Sequence, residues 1–166
     1  MLKIKRAAIV PYIVTADGEI LFLFGIDAPT GEITDFGGGV QKDEDFYTTS
    51  IRELNEETRG IFTEYINLNL QKFKRTAVFI ENAYQKTAFL RFDQKWKRKA
   101  SVSFKKAPVT DIDEVSNIIW VPEKNLSLLL TGSFEKYKMW DKNVNFYKKE
   151  YTARVSRELR SNGAWR

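Results

Sequence analysis

Apolar positions near the start of the chain run almost continuously, then space out into a one-sided pattern, then return to short runs. Residues 4–14 (IKRAAIVPYIV) read as a β-strand, with Pro11 marking it as an edge strand or a bulge. A turn at Ala16-Asp17-Gly18 leads into a second strand over 20–24, so the pair is expected to form a hairpin. The segment from Gly25 to Glu32, with Asp27, Pro29 and Gly31, reads as a loop at the rim of a cleft. Residues 34–40 enter a glycine run, and Asp43 is the expected N-cap of a helix over 44–58. Within that helix Tyr47, Ile51, Leu54 and Thr58, spaced 4, 3 and 4, form an apolar stripe suited to lie on a sheet. Gly60 stops it. Further strands are expected at 74–81, 86–92, 101–104 and 117–121, the first two of these joined around Asn82-Ala83-Tyr84. Residues 133–159 carry a basic helical pattern with an uneven apolar face at Phe134, Tyr137, Trp140 or Asp141, Val144, Tyr147, Tyr151 and Val155. No internal repeat is evident. The pattern predicts one domain over 1–166, an α+β arrangement with a mixed sheet sandwiched between helices and a long C-terminal helix.

Composition narrows the chemistry. At 166 residues the chain can build one well-packed core and is short for two domains. It has no cysteine and no histidine, which removes thiolate chemistry, His-based zinc sites and Ser-His-Asp triads and leaves carboxylates as acid, base and metal groups. No apolar run is long enough to span a membrane and no basic-then-apolar leader is present, so a soluble, cytoplasmic protein is expected. The formal charge of +5 favours anionic partners, either polyphosphates or nucleic acid.

The most specific chemistry sits at the end of the 44–58 helix. Glu53, Glu56 and Glu57 are related by i, i+3 and i+4, so their carboxylates are expected to converge on one face. Three carboxylates that close repel one another unless a cation lies between them, and Mg²⁺, a hard ion that prefers oxygen, is the natural candidate. The glycines just before the helix, Gly38 and Gly39, let the backbone approach a ligand closely. Glu-rich helices are also common as solvated faces, and Arg52 with Glu56 alone is an i, i+4 pair worth only about 0.2–0.5 kcal/mol.

Gly38, Glu44, Arg52, Glu53, Leu54, Glu56 and Glu57 stand at the spacing G-x5-E-x7-R-E-U-x-E-E, and in this the chain resembles the Nudix hydrolases. The family's closing glycine would fall at position 59, which here is Arg59, with Gly60 one place later. Gly60 is therefore expected to take the left-handed exit conformation alone, letting the helix run one residue longer than in its relatives. Residues 34–39 (TDFGGG) and 117–122 (NIIWVP) extend the likeness to the strand before the box and the late strand before the last helix. The resemblance implies the Nudix fold and a Mg²⁺-dependent pyrophosphohydrolase, with Mn²⁺ as a substitute metal. It makes Glu53 and Glu57 the principal metal ligands and Glu56 a further ligand or an orienting group. The carbonyl near Gly37 becomes another oxygen donor, and Arg52 a structural residue that fixes Glu56 and pairs with Glu44. The general base lies inside the box or on a later loop, where Glu114 is preferred over Asp111 and Asp113.

The substrate implied is a nucleoside diphosphate linked to a further moiety that the box does not read. Phe24, Phe36, Trp96 and Trp120 are candidates to stack on a base. The alternatives are a capped RNA, which the basic clusters at 72–75 (with Lys74 and Arg75), 95–99 and 105–106 would track, and a diphosphoinositol polyphosphate. Outside enzymes, an RNA-binding regulatory protein is the competing class. The oligomeric state is not legible.

Overall fold

Side chains along β1 (Arg6–Val14) and β2 (Ile20–Asp27) alternate between two apolar faces, and that alternation sets the layers. Ile9, Ile13, Leu21 and Leu23 point to one face, whereas Val10, Tyr12, Ile20, Phe22 and Phe24 point to the other. A strand buried on both faces needs a layer of helices on each side. The computed structural model, which describes residues 3–109 and 114–162, supplies both. The sheet also contains β3 (Ile33–Thr34), β4 (Phe36–Gly39), β5 (Val78–Glu81), β6 (Gln85–Arg91) and β7 (Val115–Pro122). Helices α1 (Phe46–Glu57), α2 (Thr63–Leu68), α3 (Leu70–Thr76) and α4 (Trp96–Lys106) pack on the first face. Helices α5 (Glu123–Thr131), α6 (Asp141–Glu150) and α7 (Ala153–Ser161) pack on the second. The expected mixed sheet between helices is the observed architecture. Among the described residues no helix is long and apolar enough to cross a membrane.

β1 organises the sheet. It pairs in parallel with β6 along its length, from Arg6↔Gln85 to Tyr12↔Arg91. On its other side it pairs antiparallel first with β4, Arg6 to Ile9, and then with β2, Tyr12 to Val14. β2 in turn carries β3 and β7. Val10 and Pro11 fall between these two partners and have no ladder partner on that side. Pro11 is thus neither on an edge strand nor in a bulge, as its type suggested. A residue without an N–H fits a central strand where two neighbours diverge.

Several local expectations give way to tertiary packing. The helix after the glycine run starts later, because Asp43 is left-handed (φ 66°) and Asp45, in extended conformation, caps it by accepting from the Thr48 N–H. Residues 25–27 continue β2, so the rim loop begins at Ala28. The first three residues of the expected strand at 74–81 belong to α3, and the strand starts at Val78. The expected strand at 101–104 is helical instead: Trp96, Ala100 and Phe104 are all buried, and their i, i+4, i+8 spacing outweighs the alternation of Ser101-Val102-Ser103-Phe104. The long C-terminal helix is two helices. It breaks at Tyr151 and Thr152, where Thr152 becomes the N-cap of α7 and accepts from the Val155 N–H. Residues before Asp141 are extended far enough for Trp140 N–H to donate to Ile33 O at 2.9 Å.

The exit of α1 also differs from expectation. Arg59 itself is left-handed (φ 56°), as is Gly60 (φ 73°), and the helix ends at Glu57. That conformation costs a residue with a Cβ about 1–2 kcal/mol. The Arg59 guanidinium lies over the Phe104 ring at 3.9 Å and donates to Phe104 O at 3.1 Å, contacts that hold the turn from outside. We expect Arg59→Ala to lose about 1–2 kcal/mol in denaturant unfolding, since it keeps the backbone strain and drops both contacts. Arg59→Gly should lose less, because glycine removes the strain. Equal stability of the alanine variant and the parent would show that the contact with α4 holds nothing.

Candidate active site

The loop before α1 is built around one carboxylate. Glu44 accepts from Arg52 through Nε at 2.9 Å and Nη2 at 3.0 Å, from the Thr49 hydroxyl at 2.9 Å and from the Gln41 N–H at 3.1 Å. These donors, Arg52 foremost, hold its carboxyl down at about 2. The planar guanidinium also reaches Glu53 at 2.9 Å, Glu56 at 3.5 Å and the Gly39 carbonyl at 3.4 Å. One arginine therefore staples the glycine loop to three carboxylates of the box, a geometry a lysine cannot reproduce.

One glycine lets β4 lie close against β1, and the next lets α1 come down on β4. A Cβ on Gly37 would lie 2.5 Å from the Ala8 Cβ and 2.8 Å from the Ala7 carbonyl, and a Cβ on Gly38 would overlap the Glu53 carboxylate. Glu53 thus lies directly on the backbone at Gly38. Beside it Glu57 faces a cavity of about 470 Å³ whose wall includes Arg6, Asp35, Gly37, Gly38, Gly39 and Glu114. Burial, then Glu53 and Asp35, push the Glu57 carboxyl up to about 9. Burial likewise raises Glu53, with Glu56 and Glu114 adding to it and Arg52 opposing. Glu57 Oε2 is buried with no hydrogen-bond partner among the described residues.

Behind the cavity is a polar network that no local pattern announced. Arg6 and Asp35 form a buried ion pair at 2.7 Å, and Arg6 also donates to Gln85 at 3.3 Å. The Tyr147 hydroxyl donates to the second Asp35 oxygen at 2.6 Å, and the Asp35 N–H donates to Asn143 Oδ1 at 2.9 Å. β1, the β3–β4 junction, β6 and α6 thereby meet at one carboxylate.

The three glutamates do not share one level. Glu57 faces the glycine cavity, Glu53 lies over Gly38, and Glu56 is mostly exposed and borders a separate hollow on the far side of α1 with Asp45, Tyr47, Ile51 and Lys74. Glu56 and Glu57 are about 100° apart around the helix, so they flank Glu53 rather than meet. Among the described residues no group of three donor side chains is assembled to hold a metal. A cation nonetheless suits what Glu57 presents: an orphaned oxygen, two carboxyls lifted by burial, and Asp35 and Glu114 close enough to add repulsion. Glu53, Glu57 and the Gly37 carbonyl are the donors that would hold it.

Other expected contacts fall elsewhere. Phe24 is a core residue, 1% exposed and edge-on to Tyr147, and offers no face to a base. Phe36 is buried too, and Trp96 is stacked inside a cluster with Phe62, Tyr65 and Phe92. Trp120 donates its indole N–H to Lys97 O, tying β7 to α4. Lys74 and Arg75 are exposed on α3 and do not line the glycine cavity; Lys74 sits over the Tyr47 ring at the other hollow. Glu114 does line the cavity, whereas Asp111 and Asp113 lie outside the described residues. The aromatic walls are instead Tyr84, in the β5–β6 turn, and Trp140, whose ring packs on the Arg6 guanidinium at 5.2 Å. Asp27, at the end of β2, and Thr30 and Glu32 of the loop form the rim. Nothing in the spacing of Arg6, Asp35, Tyr84 or Trp140 marks them, because each reaches the site through sheet pairing.

No family model and no curated protein matches this chain. A mutT/nudix family protein from Listeria innocua superposes with a TM-score of 0.52 at 14% identity, over 93% of this chain and 94% of that one. An Ap4A hydrolase from C. elegans in a binary complex reaches 0.45 at 18% identity over 94% of each chain. A NUDIX-family hydrolase from Clostridium perfringens reaches 0.46 at 11%, over 96% and 99%. At such identities the likeness concerns the fold, which the Listeria innocua overlay gives as that of the mutT/nudix proteins.

Two outcomes test this geometry. Gly38→Ala should cost about 1–3 kcal/mol by crowding Glu53, and the cost should shrink when Glu53→Ala is present, as a double-mutant cycle in urea would measure. The lowered Glu44 carboxyl contributes stability above its ordinary range near 4.5, and that contribution is lost as pH falls toward about 2. Glu44→Gln should accordingly melt below the parent at neutral pH, with the two melting curves converging across that acid window.

Proposed function

We propose that this protein is a Nudix hydrolase: a Mg²⁺-dependent pyrophosphohydrolase that cleaves the diphosphate linkage of a nucleoside diphosphate joined to a further small moiety. One observation carries the reading. Glu57 presents a buried, unpartnered carboxylate oxygen to a cavity floored by glycine backbone, with Glu53, Asp35 and Glu114 around it and too few cations to balance them. A bound Mg²⁺ would neutralise phosphate oxygens and lower the pKa of a water for in-line attack at phosphorus.

The chain's own residues divide the remaining work. Glu53 and Glu57, with the Gly37 carbonyl, hold the cation. Arg52 keeps Glu53 and Glu56 oriented through its fork on Glu44. Glu56 acts from the outer side of α1 as an orienting group. Gly38 and Gly39 let phosphate approach the backbone, and Glu114, at the cavity wall, takes the proton from the attacking water. Tyr84 and Trp140 offer the flat apolar surfaces a base or ribose would pack against. A cavity of about 470 Å³ suits a small nucleotide.

A panel of ADP-ribose, dinucleotides, deoxynucleoside triphosphates, a diphosphoinositol phosphate and capped RNA, each with Mg²⁺ or Mn²⁺, tests the proposal. We expect turnover of a small nucleoside diphosphate derivative, and a loss of at least about 100-fold in kcat for Glu57→Gln. In metal-free buffer at pH 7 the same variant should melt higher than the parent by roughly 2–4 °C, because folding forces the parent to take up a proton on the raised Glu57 carboxyl, a cost of at least about 1 kcal/mol that Gln avoids. It should also lose the upward shift that Mg²⁺ gives the parent. Near-parental hydrolysis by Glu57→Gln would sink the metal-ligand assignment; silence of the parent on the whole panel would sink the enzyme.

A further inference from the structure

One helix carries an unbroken run of positive charge. Lys95, Lys97, Arg98, Lys99, Lys105 and Lys106 lie on or next to α4, with no acidic residue between them. Removing these six from the 27 Lys and Arg leaves 21 against 22 Asp and Glu, so without them the chain would be close to neutral. All six side chains are exposed, and among the described residues none of them is in an ion pair. Lys95, Arg98, Lys99, Lys105 and Lys106 follow i, i+3, i+4, i+10 and i+11, which places them on one outward face about 16 Å long. The opposite face, Trp96, Ala100 and Phe104, is buried in the core. In sequence the cluster reads as two separate basic patches flanking a strand; only the helix merges them.

We propose that the outer face of α4 is a docking surface for the phosphodiester backbone of a nucleic acid, bound without sequence preference and outside the glycine cavity. Its chemistry discriminates among polyanions. A folded acidic protein needs aromatic or apolar anchors, and interfaces are depleted in lysine. This face has five cations, no exposed aromatic, and Val102, 40% exposed, as its one large apolar side chain. Insertion into a lipid surface needs a free apolar stripe, and the stripe of α4 is already used in the core. Without an aromatic platform there is no base stacking. What remains is a line of cations facing regularly spaced phosphates, where each contact releases counterions. α4 is also joined to the exit of α1, by Arg59 on its inward face.

The inference goes beyond the hydrolase reading and fails or stands separately from it. Fluorescence anisotropy of the full chain with labelled oligouridine, oligothymidine and a short duplex, and flotation with phosphatidylcholine vesicles containing phosphatidylserine, make the test. The parent should bind the oligonucleotides with affinity falling steeply between about 50 and 200 mM salt. A variant with Lys95, Arg98, Lys105 and Lys106 all changed to Gln should bind roughly 100-fold more weakly at 0.1 M salt, its log–log salt slope shallower by about 3. All four sites are exposed, and an unchanged melting temperature verifies the fold. Glu57→Gln should bind oligonucleotides like the parent, whatever its activity. Relative affinity for single strand and duplex tells which phosphodiester source is used. Undiminished affinity in the quadruple variant overturns the proposal, as does vesicle binding without oligonucleotide binding.

Discussion

β4 can lie against β1, and helix α1 on β4, only because positions 37 and 38 carry no side chain, and the whole site follows from that approach. A single methyl at Gly37 would strike the β-carbon and carbonyl of β1, and one at Gly38 would displace Glu53. With both absent, β4 lies flat beside the first half of β1 and the carboxylate of Glu53 rests on bare backbone. The cost of such glycines is conformational entropy in the unfolded chain. What it secures is a cavity whose floor is peptide groups and whose wall is the last turn of α1.

That close approach also creates the electrostatic imbalance of the site. Bringing Glu53 and Glu57 against the sheet desolvates both, and the arginines beside them are already engaged. Arg52 is divided among Glu44, Glu53 and Glu56, and Arg6 is committed to Asp35. Leaving one partner of a buried pair such as Arg6–Asp35 alone costs several kcal/mol, about 3–5. Arg6 is therefore not free to neutralise Glu57 as well. A cavity with surplus buried carboxylate is unfavourable for stability and useful for binding a cation, which is the usual relation between strain and function at such positions.

Around this centre the fold compensates for its departures from regular chemistry. The left-handed backbone at Arg59 persists because its guanidinium finds a ring and a carbonyl on α4. Trp120 ties the same helix to β7 from the other side. α4 thus faces the core with a firmly packed stripe and can leave its outer surface to charge alone.

What the sequence by itself determined were the features set by short-range periodicity and by residue type. The first hairpin, the sheet-facing stripe of α1, the glycine run and the order of Glu44, Arg52, Glu53, Glu56 and Glu57 were all legible, because each depends on neighbours within a turn or two. Only the tertiary structure decided which carboxylate faces the cavity, since two positions 100° apart on a helix differ only in what lies beside them. It also decided that Phe24 is core, that Tyr84 and Trp140 line the site, and that residues 101–104 join a helix. Arg6 meets Asp35 across 29 residues, and Tyr147 meets it across 112. Contacts at such separations leave no periodic trace in the chain, because they are fixed by which strands pair and not by the spacing of the residues that make them.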